Sequence, residues 1–419
     1  MYKGLLIILD GLGDRPSPSL NGLTPLQAAN IPVMDELAAK GSCGLVDPLY
    51  PGMPVDTHTG CGALMGMPRK DLLKLARGSV EAAGIGLNFD DGNVVFRANF
   101  ATLEKDGSTI IDRRAGRISE GTEELAVSLK DIDLGDSITA SVYPATHHRA
   151  VVCLCGNNLS ANITDTDPNG LDDISQVLKS RALDESDWSA LRTAKAVNSL
   201  SKKLFKRLSS HPLNEKRKSN GELPANAMLM RGAGLASQPR NLIRNLGLSA
   251  AVISGEKTLH GLAKLSDFTA IQEDGFTAMA DTDIDGKLRA AYDALKTHDL
   301  VYVHIKAPDI FAHSKDAKGK RDFIERFDSV LTNYVDDDLV IGISADHSTN
   351  SNTGNHCGNP VPSLIRSPDG RIDGVTAFSE LSCVQGGLGR IRANGFLISM
   401  LNEMGVLGNY HPFDSAFVI

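Results

Sequence analysis

The sequence predicts an α/β protein built on a mostly parallel central sheet. Three apolar runs, at residues 4–9, 301–305 and 339–344, are bounded by turn residues, as is typical of strands buried on both faces of such a sheet. Each run is followed closely by an acid, namely Asp10, Asp309 and Asp346. Because ligands bind beyond the carboxyl ends of parallel strands, the three acids predict a functional site at one edge of the sheet.

The remaining elements follow from local patterns. Residues 32–40 read as a helix ended by Gly41, and residues 47–66 read as a functional loop that enters a helix. A long amphipathic helix is expected at 187–208. We expect a strand at 227–230 to return the chain to the main sheet.

A chain of 419 residues is too long for one compact core, so two domains are expected. Short alternating strands replace the long apolar runs in the region that follows residue 94. We therefore predict a core domain formed by 1–111 and 176–419, with a smaller α/β domain, 112–175, inserted in it.

Composition narrows the class of protein. The net charge of −8, from 51 acids and 43 bases, disfavours a general nucleic-acid binder. The six cysteines form no CxxC pair, which suits a reducing compartment. The apolar start of the chain is too short for a signal peptide, and no run approaches the ~20 apolar residues that span a bilayer. We expect a cytoplasmic protein without a membrane partner; the oligomeric state stays open, with a homo-oligomer as one option.

Seven candidate metal ligands fall into four short clusters: Asp10, Thr57, the pair Asp309 and His313, and the group Asp346, His347 and His356. Asp309 and His313 lie at i and i+4, on one face of a helical turn, although such pairs are also common surface neighbours. Asp346-His347 could equally cap a helix, His356 could be a surface histidine, and Asp10 could form an Asx turn. Together, mixed Asp/His ligation favours Zn²⁺ or Mn²⁺ and a two-metal site, which is suited to in-line phosphoryl displacement.

The segment 55–62 offers a nucleophile for such a displacement. Its sequence, VDTHTGCG, contains two hydroxyls and a thiol. A threonine hydroxyl needs activation, and direct coordination to a metal supplies it. We predict that Thr57 is the nucleophile, while a helix cap by Thr57 or Thr59 is the structural alternative.

Eight short segments, spread almost end to end, resemble one family. They are LDGLGD at 9–14, TPLQAAN at 24–30, RANFAT at 97–102, DRRAGR at 112–117, DTDP at 165–168, RGAG at 231–234, SADHS at 344–348 and GGLGRI at 386–391. With them the chain resembles the archaeal-type cofactor-independent (2,3-bisphosphoglycerate-independent) phosphoglycerate mutases, members of the alkaline phosphatase superfamily. The resemblance implies an alkaline-phosphatase-like sandwich and a glycolytic isomerase.

The same resemblance implies a division of roles among residues. One metal would be held by Asp10, Thr57, Asp346 and His347, and the other by Asp309, His313 and His356. The two ions would be Mn²⁺ or Zn²⁺, with Mg²⁺ and Co²⁺ as further options. The inserted domain would be a lid that binds a small phosphorylated acid, with the candidate side chains Arg77, Arg97, Arg114, Arg117, Arg149 and Arg231. Asp165 and His148 are candidate proton-transfer groups.

The chain departs from the family pattern beside the nucleophile. Thr57 replaces the usual serine, His58 an acid and Cys61 a histidine, while His260 stands where a lysine is frequent. The expected reaction is interconversion of 3-phosphoglycerate and 2-phosphoglycerate through a phosphothreonine. The alternatives are a phosphatase, and a specialised phosphomutase or phosphonate hydrolase for another small phosphorylated acid. A non-enzymatic role would rest on the basic stretch 202–207, which instead fits the solvated face of a helix.

Overall fold

A computed structural model describes residues 1–73, 75–87, 92–168, 175–236 and 238–407. The chain divides into two compact units. The first is formed by Met1–Leu73 together with Pro239–Ile419, and the second is Lys74–Gln238.

The strands of the described residues are, in chain order, β1 (Lys3–Leu9), β2 (Ser42–Asp47), β3 (Val94–Leu103), β4 (Ile110–Asp112), β5 (Ile132–Gly135), β6 (Ile138–Pro144), β7 (Arg149–Cys155), β8 (Ala227–Leu235), β9 (Ala250–Ile253), β10 (Thr269–Ile271), β11 (Leu300–Ile305), β12 (Leu339–Ser344), β13 (Ser348–Asn350), β14 (Asn355–Cys357), β15 (Val361–Arg366) and β16 (Gly389–Arg392).

Their α-helices are α1 (Pro25–Ala28), α2 (Pro32–Ala39), α3 (Thr57–Leu64), α4 (Arg69–Leu72), α5 (Arg77–Gly84), α6 (Thr122–Val127), α7 (Trp188–Ser209), α8 (Pro212–Ser219), α9 (Leu242–Asn245), α10 (Lys257–Leu265), α11 (Ile284–Leu295), α12 (Ala307–His313), α13 (Ala317–Leu331), α14 (Glu380–Cys383) and α15 (Ala393–Glu403). The two helices expected at 32–40 and 187–208 are confirmed as α2 and α7. In the described part of the chain, no helix combines the length and the apolar character that a membrane crossing requires.

An eight-stranded sheet forms the centre of the first unit, in the order β10-β9-β11-β1-β12-β15-β2-β16. Neighbouring strands are parallel, except that β15 runs antiparallel to both β12 and β2. Strand β1 lies between β11 and β12, with Leu9 beside Ile305 and Ile8 beside Ser344. The α/β class with a mostly parallel central sheet is therefore confirmed, and three strands end side by side at one edge.

Helices cover both faces of this sheet. Leu5, Ile7 and Leu9 on one face of β1 belong to a core with Leu288 of α11 and Phe327 of α13. On the other face, the backbone of Gly342 in β12 comes so close to α15 that an added Cβ would lie 3.0 Å from the sulfur of Met400. Every residue of β11 and β12 is buried. This double cover explains why the strands read as continuous apolar runs rather than as alternating patterns.

The second unit contains a separate antiparallel sheet. Its strands follow the order β4-β3-β7-β6-β5, and β8 pairs with β3. Helix α7 packs on the sheet through an apolar stripe that includes Ala194, Val197, Leu200 and Leu204. Asp187 caps the start of that helix, because its side chain accepts a hydrogen bond from Ala190 N.

The second unit corrects two expectations drawn from the sequence. The predicted insertion, 112–175, lies inside a unit that extends from Lys74 to Gln238. The strand expected at 227–230 belongs to β8, which pairs with β3 in the smaller sheet and does not join the main sheet. Both errors have one cause: pairing between β3 and β8 joins segments far apart in the chain, and local patterns do not reveal it.

One buried lysine makes the stability of the first unit depend on pH. Lys287 of α11 is fully buried, and its ammonium donates to the backbone carbonyls of Thr277 (3.1 Å) and His304 (3.2 Å). Burial lowers the pKa of Lys287 from 10.5 to about 8. Between these values the unfolded chain holds a proton that the folded chain has released, so the free energy of unfolding contributed by this group rises with pH.

We therefore expect the free energy of unfolding of the wild type, measured in urea, to rise between pH 8 and pH 9.5 by about 1–2 kcal/mol more than that of Lys287→Met. Lys296→Met, at the exposed end of the same helix, is the control and should follow the wild type. If the free energy of unfolding changed equally with pH in all three proteins, the lowered pKa of Lys287 would be contradicted.

Candidate active site

The seven predicted ligands meet at the carboxyl edge of the first unit's sheet. Asp10 follows β1, Asp309 and His313 lie on α12 just after β11, and Asp346 and His347 follow β12. The other two come from separate elements: Thr57 begins α3, and His356 lies on β14. Because β11, β1 and β12 are adjacent and parallel, their ends bring together side chains more than 330 residues apart in the chain.

Two glycines allow the ligand-bearing segments to approach one another. A Cβ on Gly60 of α3 would lie 1.9 Å from the carbonyl oxygen of Asp346, and one on Gly13 would lie 2.1 Å from Ser348 Oγ. Any side chain at these two positions would push α3 or the loop after β1 away from the end of β12. The helix that carries Thr57 therefore reaches the ligand group only because residue 60 is glycine.

Asp10 Oδ1, Asp346 Oδ2 and His347 Nε2 lie close together. Oδ1 of Asp10 and Oδ2 of Asp346 are buried, and neither accepts a hydrogen bond from any residue that the structure describes. They lie 3.4 and 3.2 Å from His347 Nε2. Burial lowers the pKa of His347 to about 3, so the ring is neutral near pH 7. Asp10, Asp346 and His347 thus offer three donor atoms within 4.8 Å of one another, which suits a divalent cation.

A second group forms around Asp309. Nδ1 of His313 lies 2.7 Å from the carbonyl oxygen of Gly354, and Nδ1 of His356 lies 2.8 Å from that of Val55. Since a carbonyl only accepts, each Nδ1 carries the proton, and the two Nε2 atoms face each other at 3.2 Å.

Both Nε2 atoms of this second group also lie near the Asp309 carboxylate, at 3.2 and 3.6 Å. The hydrogen bond to Asp309 raises the pKa of His313. A proton, or a cation in its place, is therefore stabilised between these atoms, as expected of a metal-binding group.

The charges of this centre are not balanced by the side chains around it. Burial would raise the pKa of Asp10, but the charge of Lys306 and the hydrogen bond with His304 lower it to about 2. Burial and the Asp10 carboxylate raise the pKa of Asp346 well above its usual range. Three buried acids face one ammonium and the neutral imidazole of His347, so bound cations would relieve a deficit of positive charge.

Sequence reasoning missed the ammonium, which belongs to Lys306. Its Nζ lies 2.9 Å from Asp10 Oδ2, 2.7 Å from Asp309 Oδ2 and 3.0 Å from Thr57 Oγ1. Burial would lower the pKa of Lys306, but the surrounding acids raise it above its ordinary value, so the group stays charged. The position of Lys306 directly after the buried run 301–305 could have indicated that it belongs to the site.

His304, also missed, orients Asp10. Its Nε2 lies 2.9 Å from Asp10 Oδ2, and its Nδ1 lies 3.2 Å from Ser254 Oγ. Asp10, Glu256 and His304 form a further group of close donor atoms. The carboxylate of Asp10 is therefore held from one side by His304 and Lys306, while its other oxygen faces His347.

Apart from Thr57, the residues that depart from the family pattern do not belong to either candidate ligand group. Cys61 is fully buried, and burial together with Asp346 and Asp10 raises the pKa of its thiol well above 9, so it is neutral. Nε2 of His260 lies 2.8 Å from the carbonyl oxygen of Ser254, and burial lowers the pKa of His260. His58 is half-buried on α3.

Four of the six predicted arginines form a cluster in the second unit. Arg97 on β3 is only 4% exposed and stands beside Arg231 of β8 in the strand register. Arg77 and Arg149 are close enough to act on it electrostatically. Burial and these neighbours lower the pKa of Arg97 to about 9, against the opposing effect of Glu81, whose Oε1 lies 3.1 Å from Arg97 Nη1. Excess positive charge in a buried setting is typical of an anion-binding site.

Among the other predicted residues of the second unit, His148 lies near the arginine cluster, whereas Arg117 is exposed. Burial, followed by Arg149 and Arg114, lowers the pKa of His148 to about 4, so its ring is neutral. Asp165 accepts a hydrogen bond from Gly232 N (2.8 Å), and burial raises its pKa. Arg117 is exposed at the end of a 3-10 helix, Ala115–Arg117. Arg113, which sequence reasoning did not select, pairs with Asp167.

A buried ion pair holds the loop that follows Asp10 against β13 and the turn after it. Lys320 Nζ of α13 donates to the carbonyl of Gly11 (2.7 Å) and to Asp14 Oδ2 (2.8 Å), and Asp14 Oδ1 accepts from Ser351 N (3.0 Å). Lys320 and the Asp14 side chain are completely buried. The pair links the loop after β1 to the turn that follows β13.

Lys320→Met should destabilise the protein by about 3–5 kcal/mol, because it leaves the Asp14 carboxylate buried without its counter-charge. The double variant with Asp14→Asn should lose less than the sum of the two single losses, as urea unfolding would measure. Lys318→Met, exposed on the same helix, should be nearly neutral. Additive losses for the two buried positions would refute the pairing.

Comparison with known proteins gives consistent results. Residues 38–214 match the family model described as 2,3-bisphosphoglycerate-independent phosphoglycerate mutase. A relative of that name from Methanopyrus kandleri is 38% identical over 412 residues, covering 96% of each chain. One from Archaeoglobus fulgidus is 38% identical over 409 residues, covering 96% of this chain and 98% of its own.

Two solved structures are also similar to this chain. That of a Pyrococcus horikoshii protein has a TM-score of 0.79 at 32% identity, covering 97% of this chain and 98% of the other. That of the cofactor-independent phosphoglycerate mutase from Thermoplasma acidophilum has a TM-score of 0.71 at 33% identity, covering 97% and 100%.

Proposed function

The chain belongs to the 2,3-bisphosphoglycerate-independent phosphoglycerate mutase family, and we propose that it interconverts 3-phosphoglycerate and 2-phosphoglycerate through a covalent phosphothreonine at Thr57. The family assignment makes it an isomerase that uses divalent metal. The observation that supports the covalent route is the setting of the Thr57 hydroxyl. Its Oγ1 lies 3.0 Å from Lys306 Nζ, 3.4 Å from His347 Nε2 and 3.5 Å from Asp10 Oδ2.

Thr57 is well placed to carry a phosphoryl group. It is the first residue of α3, so backbone N–H groups of the first turn and the positive end of the helix dipole favour a phosphate there. The Lys306 ammonium donates to Oγ1 and would also neutralise phosphoryl oxygens. Thr57 is 8% exposed, which limits access of water to an intermediate bound to it.

The two ligand groups are assigned to two divalent ions, Mn²⁺ or Zn²⁺. Asp10, Thr57, Asp346 and His347 would hold one, and Asp309, His313 and His356 the other. When bound, such ions lower the pKa of a coordinated hydroxyl and offset charge on the transferring phosphoryl group. The unsatisfied oxygens of Asp10 and Asp346 and the facing Nε2 atoms of His313 and His356 support this assignment.

The reaction then consists of two in-line displacements. Thr57 Oγ1 attacks phosphorus and its proton leaves, while the bond from phosphorus to the C3 oxygen breaks and that oxygen takes a proton. The glycerate stays bound, and its C2 hydroxyl attacks the phosphothreonine to release Thr57 with a proton.

His148 as a neutral base and Asp165 as an acid of raised pKa are the candidate proton carriers. The second unit would serve as the lid that retains glycerate.

The arginine cluster of the second unit is assigned to the charged ends of the substrate. Arg97 is buried, and its Nε donates no hydrogen bond to any of the described residues. Glu81 faces both Arg77 and Arg97 and therefore neutralises only part of the cluster. A small acid with a carboxylate and a phosphoryl group matches the remaining charge.

Thr57→Ala should lower kcat/KM for 3-phosphoglycerate by about 10³-fold or more, because it removes the attacking oxygen. Thr57→Ser keeps that oxygen and should stay within about tenfold of the wild type. Phosphorus NMR of the metal-loaded enzyme follows 2-phosphoglycerate and free phosphate together, and intact-mass analysis after rapid quenching detects a phosphorylated chain.

The products decide between the candidate activities. Free phosphate without 2-phosphoglycerate would show a phosphatase. No turnover of 3-phosphoglycerate, with turnover of another phosphorylated acid, would show a specialised enzyme. Full activity in Thr57→Ala would rule out the phosphothreonine.

Arg97→Met should lower kcat/KM by about 10–100-fold, since one charge-assisted pair to the substrate contributes on the order of 1–3 kcal/mol. Arg207→Met, on the exposed face of α7, is the matched control and should change nothing. Thermal unfolding of both variants separates lost binding from lost folding. An unchanged kcat/KM in a folded Arg97→Met protein would remove this residue from the substrate site.

A further inference from the structure

One buried hydroxyl contacts both ligand groups. Thr349 lies on β13 and is 0% exposed. Its Oγ1 is 2.7 Å from Asp309 Oδ1 and 3.1 Å from His347 Nδ1. Asp309 belongs to one proposed group and His347 to the other, so a single side chain joins them.

The chemistry of the three groups sets the direction of both hydrogen bonds. A hydroxyl has one hydrogen, and the carboxylate oxygen of Asp309 can only accept it. Thr349 Oγ1 therefore accepts in turn from the Nδ1–H of His347. With its proton on Nδ1, His347 presents the lone pair of Nε2 to Asp10 and Asp346.

The other two histidines are oriented differently. His313 and His356 donate their Nδ1–H to the backbone carbonyls of Gly354 and Val55, where the chain of hydrogen bonds ends. At His347 the acceptor is a side chain that also donates. The orientation of His347 is thus tied to that of Asp309, whereas the orientations of His313 and His356 depend on the backbone.

The backbone holds Thr349 firmly in this position. Its N donates to the carbonyl of Gly13 (2.9 Å), and its carbonyl accepts from Lys320 Nζ (3.2 Å). In the β13–β14 pair it stands opposite His356. A Cβ on Gly11 would lie 2.7 Å from Thr349 Oγ1, so the loop after β1 leaves room for this hydroxyl only because residue 11 is glycine.

We propose that Thr349 is a positioning residue that couples the two cation-binding groups, so that loss of its hydroxyl weakens both ions rather than one. This inference rests on the two-ion assignment made under the proposed function. Outer hydrogen-bond partners of metal ligands typically change metal affinity by about 10–100-fold. A partner shared by the two groups should therefore affect both affinities by that factor.

The test compares Thr349→Val, which keeps the shape and removes the hydroxyl, with Thr349→Ser, which keeps the hydroxyl. Mn²⁺ alone is titrated into the metal-depleted full-length protein, and both affinities are measured by calorimetry and by electron paramagnetic resonance. In Thr349→Val we expect both ions to bind about 10–100-fold more weakly, and in Thr349→Ser both should bind within about threefold of the wild type.

A second readout separates positioning from a general loss of structure. Long-range ¹H–¹⁵N correlation spectra report which ring nitrogen of His347 carries the proton. The wild type and Thr349→Ser should show Nδ1–H, and Thr349→Val a mixture of the two tautomers. Weaker binding of only one ion, or unchanged binding and an unchanged tautomer in Thr349→Val, would overturn the inference.

The wild type distinguishes this failure from failure of the proposed function. If the wild type binds no Mn²⁺, the two-ion centre is wrong and the coupling falls with it. If it binds two ions and Thr349→Val does so equally well, only the coupling is wrong. If it binds two ions but does not convert 3-phosphoglycerate, the proposed reaction is wrong while the coupling is still decided by the two variants.

Discussion

Burial of three carboxylates at one edge of a parallel sheet is the constraint on which the rest of the first unit depends. Asp10, Asp309 and Asp346 are fully buried, and the described residues place only the Lys306 ammonium directly among them. Buried like charges are costly unless they are compensated. The edge therefore has a strong preference for cations, and the histidines add donor atoms to both candidate groups without adding negative charge.

The residues around this edge act mainly by holding the carboxylates apart and in fixed directions. His304 holds one oxygen of Asp10, and Thr349 holds one oxygen of Asp309. The Lys320–Asp14 pair joins the loop after β1 to the turn that follows β13. Each of these contacts pairs buried polar groups, which favours a single arrangement of the network, while Oδ1 of Asp10 and Oδ2 of Asp346 accept no hydrogen bond from the described residues. Rigidity of the centre is thus a property of its surroundings as well as of any bound ion.

Local patterns predicted the parts of this protein that depend on nearby residues. The apolar runs, the acids that end them and the i, i+4 spacing of Asp309 and His313 are local, and the structure brings all seven candidate ligands together. The limits of the second unit were not predictable in this way, because β3 and β8 pair across more than a hundred residues. Lys306 and Thr349 were missed for a related reason: their contacts exist only once the ends of β1, β11 and β12 are adjacent.

The departures beside Thr57, the proposed nucleophile, leave the candidate ligands in place. Cys61 is a buried neutral thiol, and His260 is engaged with the carbonyl of Ser254, so neither takes the place of a candidate ligand. The proposed phosphoryl transfer at Thr57 would use the sheet edge of the first unit, where all the candidate ligands lie. Under the proposed function, recognition of the substrate carboxylate is assigned to Arg97 and its neighbours, whose charge is buried and only partly compensated. On that proposal, the identity of the substrate follows the arginines of the second unit, whereas the sequence differences that raise the question lie in the first.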